Sequence, residues 1–354
     1  MVKNKFLRVI LYPISVLWAF LYWLRRFCFN YKILKKDYFK VPIVSVGNIS
    51  FGGTGKTPMI IWLSKKIEEL DLTPMVLTRG YKSELEKSSG IIKAQDSFLA
   101  SSKVLGDEPL MIAKSMKRGA VVIGSKRAEN LKKYFDDVQA DIVFLDDGFQ
   151  HLKIHRSFNL VLFDSNMDIS SYKTAPLGYL REGLSSLKFA DAIAFSRSDQ
   201  VSSEEIDKII KFLRPHLKEN VLISKFYYYP VGIFNISDEL KMQMSDLAGK
   251  NVISVTALAS PKSFNQSLED VGANIVESKV YKDHHFFSKD DLNDIQKLAK
   301  SHDAIILTTK KDIVKLKNIT QDNNIFYVDV SVKFSAGGDA IVNKMRQILK
   351  LDSI

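Results

Sequence analysis

The chain has 354 residues and a formal net charge of +11, and 46% of its residues are hydrophobic. This composition excludes a disordered chain and predicts two domains of ordinary size. The positive charge favours anionic partners, but nucleic acid is not expected among them because no basic or aromatic nucleic-acid-binding motif is present. The single cysteine, Cys28, excludes an internal disulfide and a cysteine-based metal site, and it suits a reducing compartment.

The N-terminus joins an apolar run to basic residues on both sides. The run covers residues 9–24 and is closed by Arg25 and Arg26. A signal peptide is disfavoured because no small-residue cleavage site follows the run. A membrane-spanning helix, which needs about 20 apolar residues, and a buried core helix are alternatives to a helix that lies in the membrane interface. Trp18 and Trp23 favour attachment to an anionic membrane surface, with the bulk of the protein on the cytoplasmic side.

The stretch "GNISFGGTGKTP", residues 47–58, lies between an apolar strand and a predicted helix. It departs from the usual P-loop pattern because Ser50 stands where the first glycine is expected, although Gly47 can provide the turn. An ordinary glycine-rich turn is the alternative. In a P-loop, backbone N–H groups and a helix N-terminus surround phosphate oxygens. The residues predicted to bind nucleotide phosphates are Gly52, Gly53, Thr54, Gly55, Lys56 and Thr57, and the Thr57 hydroxyl also suits Mg²⁺.

Beyond residue 30, apolar strands alternate with amphipathic helices. This alternation predicts an α/β fold with a mostly parallel, doubly wound sheet of the P-loop NTPase type. Residues 83–103 are polar and rich in serine, so we predict a mobile loop there. Ser125 and Ser288 each precede a helical pattern, and each is predicted to be an N-cap.

The chain is predicted to divide into three parts. Residues 1–30 form the predicted N-terminal membrane-associated helix, and residues 31–217 form the P-loop core domain. Residues 218–354 form a second, smaller C-terminal α/β domain. This domain opens with the extended, aromatic-rich stretch "NVLISKFYYYPVGIFN".

A second phosphate-site element is the run "DIVFLDD", which ends in Asp146 and Asp147. An apolar strand that ends in acids is typical of the element that holds Mg²⁺ beside a P-loop. Strands often end in Asp, so the indication depends on the upstream glycine-rich loop. Together with Thr57, these two acids form the predicted metal site.

Phosphoryl transfer also requires a residue that activates an acceptor hydroxyl. Asp107 in "GDEP" and Glu182 in "LREG" are the candidate acids. For each candidate the alternative is a solvated loop residue or a helix cap, and Asp107 could simply favour a helix N-terminus. The candidate bases are His151, His155, His284 and His285.

Six motifs occur in one order along the chain: "GNISFGGTGKTP", "TRGY", "GDEP", "DDGFQH", "LREG" and "DHHFF". Together they resemble the tetraacyldisaccharide 4'-kinases, the lipid A 4'-kinase family, from residue 1 to about residue 316. The resemblance implies transfer of the γ-phosphate of ATP to the 4'-hydroxyl of tetraacyldisaccharide 1-phosphate, which forms lipid IVA. It places this reaction at the cytoplasmic face of the inner membrane of Gram-negative bacteria.

The resemblance also implies roles for individual residues. Lys56 corresponds to the residue that binds the ATP phosphates, and Asp107 to the catalytic acid/base group. His284 corresponds to the histidine that pairs with this aspartate. Arg181 and Glu182 match a block that lies near the active site. The implied Mg²⁺ ligands are Thr57, Asp147 and, beside it, Asp146. In "TTKKD", Lys310 stands where the family pattern has an acid.

A kinase of this kind implies ATP and Mg²⁺ as cofactors, and an anionic glycolipid and the inner membrane surface as partners. No obligate protein partner is expected. The competing hypothesis is a membrane-associated P-loop NTPase that acts as a switch or targeting factor. Such a protein predicts slow hydrolysis and a conformational change with nucleotide state. It has no need for Asp107 and His284 near the phosphates.

Overall fold

The computed structural model describes residues 5–81, 83–99, 102–258, 261–282 and 285–351. Within these ranges the strands form a single sheet of thirteen strands. They are β1 Ile43–Gly47, β2 Pro74–Thr78, β3 Gly90–Lys93, β4 Ala120–Ile123, β5 Ile142–Asp146, β6 Phe158–Asp164, β7 Ala192–Ser196, β8 Leu222–Asn235, β9 Leu240–Met242, β10 Asn251–Thr256, β11 Asn274–Val280, β12 Ile305–Thr309 and β13 Ile325–Ala336. The α-helices are α1 Lys5–Asn30, α2 Lys56–Glu68, α3 Ser102–Leu105, α4 Asp107–Ser115, α5 Arg127–Val138, α6 Ser203–Leu213, α7 Pro261–Glu269, α8 Lys289–Ser301, α9 Lys310–Leu316 and α10 Gly338–Ile348.

The strand order is β11-β10-β12-β13-β8-β7-β6-β1-β5-β2-β4-β3, with β9 paired to β8. The pairings are parallel except for β3 with β4, β8 with β13 and β8 with β9. Every residue of β1, β2, β4, β5 and β7 is buried. Strands covered on both faces have continuous apolar sequences, and this explains the runs that marked them. The predicted doubly wound α/β fold is confirmed.

The central strand β1 lies between β5 and β6, and all three are parallel. The glycine-rich loop follows β1, and the paired acids come at the end of β5. Val46 is in register with Asp146. Because parallel strands end at the same edge of a sheet, the pairing brings both predicted phosphate-site elements to one carboxyl edge.

Strand β8 joins the two halves of the sheet. It pairs in parallel with β7 and antiparallel with β13. The aromatic-rich stretch is therefore a strand that belongs to both halves, and the predicted boundary after residue 217 lies just before it. The division into a core domain and a smaller C-terminal domain remains a prediction.

Helix α1 lies against the segment that connects β6 to β7, residues 165–191, which we call the β6–β7 segment. Its apolar side chains are largely exposed, with Phe6 at 74% and Val9 at 73%. This exposure contradicts the alternative of a buried core helix. Within Phe6–Asn30, an 18-residue window has a mean hydropathy of 1.6, and by length and composition alone this helix can cross a membrane.

Two local predictions for the first half of the chain are wrong. The range 83–103 is not an irregular loop, since its described part contains β3, two 3₁₀ turns and the start of α3. Strand β3 forms because "GIIK" pairs with β4, which makes β3 the edge strand, and adds Ile92 to the core. Ser125 does not cap α5, which begins after Lys126 without a side-chain cap. Ser288 does cap α8, where its hydroxyl accepts a hydrogen bond from the Asp291 N–H.

Replacing Gly47 with Ala is expected to destabilise the fold by about 1–3 kcal/mol through overpacking. A Cβ at this position would lie 2.7 Å from Phe149 Cβ and 2.8 Å from the Phe149 backbone nitrogen. Chemical denaturation of the detergent-solubilised protein measures the change. Gly53→Ala is the control, because a Cβ there meets no heavy atom within 4 Å. Equal stability of the two variants would contradict this account.

Candidate active site

The glycine-rich loop connects the end of β1 to α2, which begins at Lys56. Gly52 and Gly55 adopt positive φ angles of 107° and 88°. Glycine takes such angles without the steric cost that a Cβ imposes. The loop therefore carries the backbone curvature and the helix N-terminus that an anion site requires. Lys56 and Thr57 lie in the first turn of α2, directly behind the loop.

Tyr228 of β8 packs over this loop. A Cβ on Gly55 would lie 1.6 Å from the Tyr228 hydroxyl, so no other side chain fits there. Burial raises the pKa of Tyr228 to about 12, so the phenol stays protonated near neutral pH. The sequence analysis missed this residue because the aromatic stretch indicated only a strand.

The two acids at the end of β5 have different surroundings. Asp146 is buried and accepts a hydrogen bond from the Thr78 hydroxyl (2.8 Å). Burial, and then the neighbouring charge of Asp147, raise the pKa of Asp146. Burial also acts to raise the pKa of Asp147, but the nearby cations Lys56 and Arg181 lower it below its usual value.

Asp147 is the point where the cations converge. One Asp147 oxygen lies 3.6 Å from Lys56 Nζ, and the other accepts a hydrogen bond from Arg181 Nη1 (2.7 Å). The backbone of Asp147 is left-handed, with φ 48°, and its carbonyl accepts a hydrogen bond from Arg127 Nη1 (3.2 Å). Side chains of three separate segments thus contact Asp147 at the carboxyl edge of the sheet, two at its carboxylate and one at its backbone carbonyl.

Asp146 and Asp147 fit a Mg²⁺ site. The Oδ1 atoms of both carboxylates are buried and accept no hydrogen bond from the described part of the chain. Within that part, no group of three His, Cys, Asp or Glu side chains gathers that could hold a metal alone. Both facts suit Mg²⁺, which proteins bind through one or two carboxylates while phosphates and water complete the shell.

Arg127 is a further cation that the sequence analysis did not identify. It is the first residue of α5 and is buried beside the two acids. Burial lowers the pKa of Arg127, while Asp146 and Asp147 act to raise it. Its charge offsets part of the negative charge that the two carboxylates concentrate. A basic residue just after the buried strand β4 was the available indication in the sequence.

The adjacent residues Arg181 and Glu182 face different partners. Arg181 contacts Asp147, whereas Glu182 is buried and pairs with Arg26 of α1 (2.6 Å). The backbone of Arg181 is hydrogen-bonded to the glycine-rich loop, since the Arg181 N–H donates to the Ile49 carbonyl (2.7 Å). Both predicted residues therefore lie at this edge, and Arg26 is a partner that the sequence analysis missed.

Asp107 begins α4 and is buried. Its carboxylate lies 3.8 Å from the ammonium group of Lys315 in α9. Lys315 also pairs with Asp312 at 2.6 Å, and all three side chains are nearly fully buried. Asp312 is held in turn by the Ala257 N–H (2.9 Å). The triad connects the candidate catalytic acid to the C-terminal half of the sheet.

His284 lies outside the described residues, so its predicted pairing with Asp107 stays a prediction. Its neighbour His285 contacts Asp291 through Nε2 (3.0 Å). Two residues further on, the buried Phe287 lies with its ring centroid 5.5 Å from Lys315 Nζ. The segment after His284 therefore reaches the ammonium group that also neighbours Asp107.

The other histidine candidates do not gather at Asp107. Burial, followed by the positive charge of Arg127 and Arg156, lowers the pKa of His151 to about 3. A histidine with that pKa is a weak base near neutral pH. His155 stacks on Tyr38, with ring centroids 4.8 Å apart. Lys310, which departs from the family pattern, pairs with Asp329 (2.6 Å).

A glycine-rich loop between a parallel strand and a helix, with paired carboxylates on the neighbouring strand, defines a P-loop nucleotide-binding protein. Within that class, the family model described as Tetraacyldisaccharide-1-P 4'-kinase matches residues 7–350. The chain belongs to this family of ATP-dependent kinases.

Individual relatives agree with the family match. A tetraacyldisaccharide 4'-kinase of Desulfotalea psychrophila is 33% identical over 346 residues, which cover 97% of this chain and 98% of the relative. One from Flavobacterium psychrophilum is 32% identical over 93% of each chain. The crystal structure of LpxK from Aquifex aeolicus in complex with ATP matches with a TM-score of 0.76 and 26% identity, covering 97% of this chain and 99% of that chain.

These matches confirm the family that the motif order indicated, together with its fold. They disfavour the competing switch or targeting factor. The roles assigned to individual site residues remain predictions, because the matches concern whole chains.

Lys315→Met is expected to destabilise the protein by about 3–5 kcal/mol, because it leaves the buried Asp312 without its cation. Denaturation of wild type and variant measures this difference. The double variant Lys315→Met/Asp312→Leu is expected to regain much of the loss, since a buried ion pair replaced by apolar groups is often neutral. Lys317→Met is the control, because Lys317 pairs with the exposed Asp238. Equal effects at the two lysines would contradict a buried triad.

His151 is expected to make the protein less stable as the pH falls. Its folded-state pKa of about 3 lies below the usual value near 6.5. The unfolded chain therefore takes up a proton between these values while the folded chain does not, so the free energy of unfolding declines on acidification. Denaturation at about pH 7.5 and about pH 5 should show a smaller decline for His151→Gln than for wild type. The exposed His302→Gln should behave as wild type; an unchanged decline in His151→Gln would contradict the prediction.

Proposed function

We propose that this chain transfers the γ-phosphate of ATP to the 4'-hydroxyl of a tetraacyldisaccharide 1-phosphate, forming lipid IVA. The observation that carries the proposal is the contact between α1 and the phosphate edge. Trp18 of this apolar helix donates to the carbonyl of Arg181 (2.8 Å), and the Arg181 side chain contacts Asp147. A membrane-binding surface adjoining a phosphate site is what a kinase of a multiply acylated substrate requires.

ATP phosphates are bound in this proposal by the loop Gly52 to Thr57, where backbone N–H groups and the α2 N-terminus supply positive potential. Lys56 contributes a charge toward the β- and γ-phosphates. Arg181, now engaged with Asp147, offers a second cation at the same edge. Preorganised cations of this kind stabilise the charge of a transferring phosphoryl group.

Thr57, Asp146 and Asp147 would hold Mg²⁺. A bound Mg²⁺ neutralises charge on the β- and γ-phosphates. Lys56 and Arg127 keep the two carboxylates close together without full mutual repulsion, and this support comes from the protein itself. The Oδ1 atoms of both acids, which accept no hydrogen bond from the described residues, support the assignment.

Asp107 is proposed to accept the proton of the 4'-hydroxyl while that oxygen bonds to the γ-phosphorus and ADP leaves. The start of α4 lies near the end of β2, since a Cβ on Gly80 would lie 3.6 Å from the Leu105 carbonyl. The parallel strands β2 and β5 end at the same edge of the sheet. The Lys315 ammonium, 3.8 Å from this carboxylate, holds it against α9. His284 is proposed to orient Asp107, as the family resemblance implies.

Helix α1 is proposed to lie in the membrane interface rather than to cross the bilayer. Residues 15–26 are tied to the body of the protein, since Ser15 bonds to Thr174 (2.7 Å) and Arg26 to Glu182. The part of the helix before Ser15, residues 6–14, rises only about 14 Å, well short of the ~30 Å hydrocarbon core. The basic flanks favour anionic headgroups at the cytoplasmic face of the inner membrane, where ATP is available.

Lipid phosphorylation by the purified protein tests this proposal. The full chain in detergent receives Mg²⁺, γ-labelled ATP and tetraacyldisaccharide 1-phosphate, and label in the lipid is measured. Asp107→Asn is expected to lower kcat by about 10²–10⁴-fold with nucleotide binding retained, because it removes only the proton acceptor. Asp136→Asn, the same change on an exposed position of α5, is the control.

Two outcomes would count against the proposal. Absence of label in the lipid with wild type would reject the substrate. Full activity of Asp107→Asn would reject the proton acceptor while leaving the substrate assignment standing.

A further inference from the structure

We propose that Arg26 of α1 is a positioning residue for phosphoryl transfer, acting through Glu182 on the cation–carboxylate contacts at Asp147. Helix α1 would then line the active site as well as attach the protein to the membrane. This inference rests on the proposed function, because it assigns Arg26 a role in the same site.

The contact between Arg26 and Glu182 is bidentate and buried. Arg26 Nε lies 2.6 Å from Oε2 of Glu182, and Arg26 Nη2 lies 2.8 Å from Oε1. Arg26 is 6% exposed and Glu182 is 1% exposed. Nη2 also donates to the Phe149 carbonyl (3.1 Å), and the guanidinium lies 4.4 Å from the centroid of the Phe149 ring. A bidentate arginine–carboxylate pair fixes orientation as well as distance.

Glu182 connects this pair to the phosphate site by two routes. Its Oε1 accepts a hydrogen bond from Gln150 Nε2 (2.7 Å), which also donates to the carbonyl of Asn48 (2.8 Å) in the glycine-rich loop. The second route is the chain itself, since the neighbouring Arg181 holds Asp147. Phe149 and Gln150 follow Asp147 directly in sequence. Arg26 therefore contacts the segment that follows Asp147, through Phe149, and the segment that carries Arg181, through Glu182.

The β6–β7 segment is also paired with the glycine-rich loop. The Phe51 N–H donates to the Tyr179 carbonyl, and the Arg181 N–H donates to the Ile49 carbonyl, both at 2.7 Å. A shift of the segment would therefore move the loop and Arg181 together. Arg26 is the buried charge that fixes α1 against this segment.

Stability alone does not explain a charge at this position. Burying an ion pair has a desolvation cost that its attraction often only offsets, and apolar replacements of such pairs are frequently as stable. An apolar helix can dock through apolar contacts. The ion pair instead fixes the position of α1 along the β6–β7 segment. If α1 slid by one turn, Arg26 and Glu182 would lose each other as partners while still buried.

The neighbouring Arg25 provides a matched control. It is exposed and makes a hydrogen bond to the Gln150 carbonyl (2.8 Å) without contacting Glu182. Arg25→Gln and Arg26→Gln remove the same charge from adjacent positions of one helix. Attachment to anionic vesicles should weaken more in Arg25→Gln, whose guanidinium is exposed, whereas only Arg26→Gln breaks the contact to Glu182.

Steady-state kinetics with the full-length protein test the role of Arg26. Arg26→Gln is expected to lower kcat by about 10–100-fold, the range found when outer-shell partners of metal ligands are removed. Affinity for Mn²⁺ in the presence of a non-hydrolysable ATP analogue, measured by electron paramagnetic resonance without lipid, should fall as well. Arg25→Gln should stay within about two-fold of wild type in both measurements, well inside that range.

A double-mutant cycle separates positioning from a general structural effect. If Arg26 acts through Glu182, Arg26→Gln/Glu182→Gln should lose no more activity than the worse single variant. Multiplicative losses, or a kcat loss matched by loss of thermal stability, would overturn the inference. Arg26→Lys, which keeps the charge but not the two-pronged geometry, should fold and recover only part of the activity. Wild-type activity in Arg26→Lys would equally overturn it.

Failure of this inference is distinguishable from failure of the proposed function. A wild-type protein that does not phosphorylate the lipid rejects the function. The Mn²⁺ measurement needs no lipid, so it still reports whether Arg26 organises the carboxylate site. Normal Mn²⁺ affinity in Arg26→Gln, with lipid phosphorylation intact in wild type, rejects the role of Arg26 alone.

Discussion

The parallel pairing of β1 with β5 is the constraint on which the site depends. This pairing places the end of β1, which precedes the glycine-rich loop, beside Asp146. Two segments about a hundred residues apart therefore meet at one edge of the sheet. The approach leaves no room for side chains: a Cβ on Gly47 would collide with Phe149, and one on Gly148 would lie 2.9 Å from the Ser45 Oγ of β1. Glycine at these two positions is thus a consequence of the pairing, and loop curvature and carboxylate placement follow from it.

Concentrating carboxylates at such an edge creates an electrostatic problem, which the fold resolves with buried cations from distant elements. Arg127 neighbours the Asp146–Asp147 pair, Lys315 neighbours Asp107, and Arg26 binds Glu182. In each case a low-dielectric environment strengthens the attraction while it penalises any unpaired charge. In the proposed function, the same environment would strengthen the attraction of the Asp146 and Asp147 carboxylates for Mg²⁺. Stability and chemistry are therefore coupled at the same groups.

The sequence predicted what is local and missed what is distant. The glycine-rich loop, the acids that end β5 and the Ser288 cap depend on neighbours within a few residues, and their patterns were sufficient. Arg26 was interpreted only as a membrane flank, because its partner lies 156 residues away and no local pattern predicts the pairing. Lys315 carried a weak indication, since it is three residues from Asp312 on one helix. The strand at residues 90–93 was missed because it has only two adjacent apolar residues between polar flanks. Its pairing with β4 stabilises it, and no local pattern predicts that pairing.

Helix α1 has two faces with different physical requirements, and their combination explains its unusual composition. The outer face exposes Phe6, Val9 and other apolar side chains, for which a lipid environment removes the cost of contact with water. The inner face carries Ser15, Trp18 and Arg26, each of which bonds to the segment beside the phosphate loop. A helix that served only as an attachment would need the first face alone. In the proposed function both faces belong to one rigid helix, so the residues that bind the segment beside the phosphate loop would also set the orientation of the site toward the membrane.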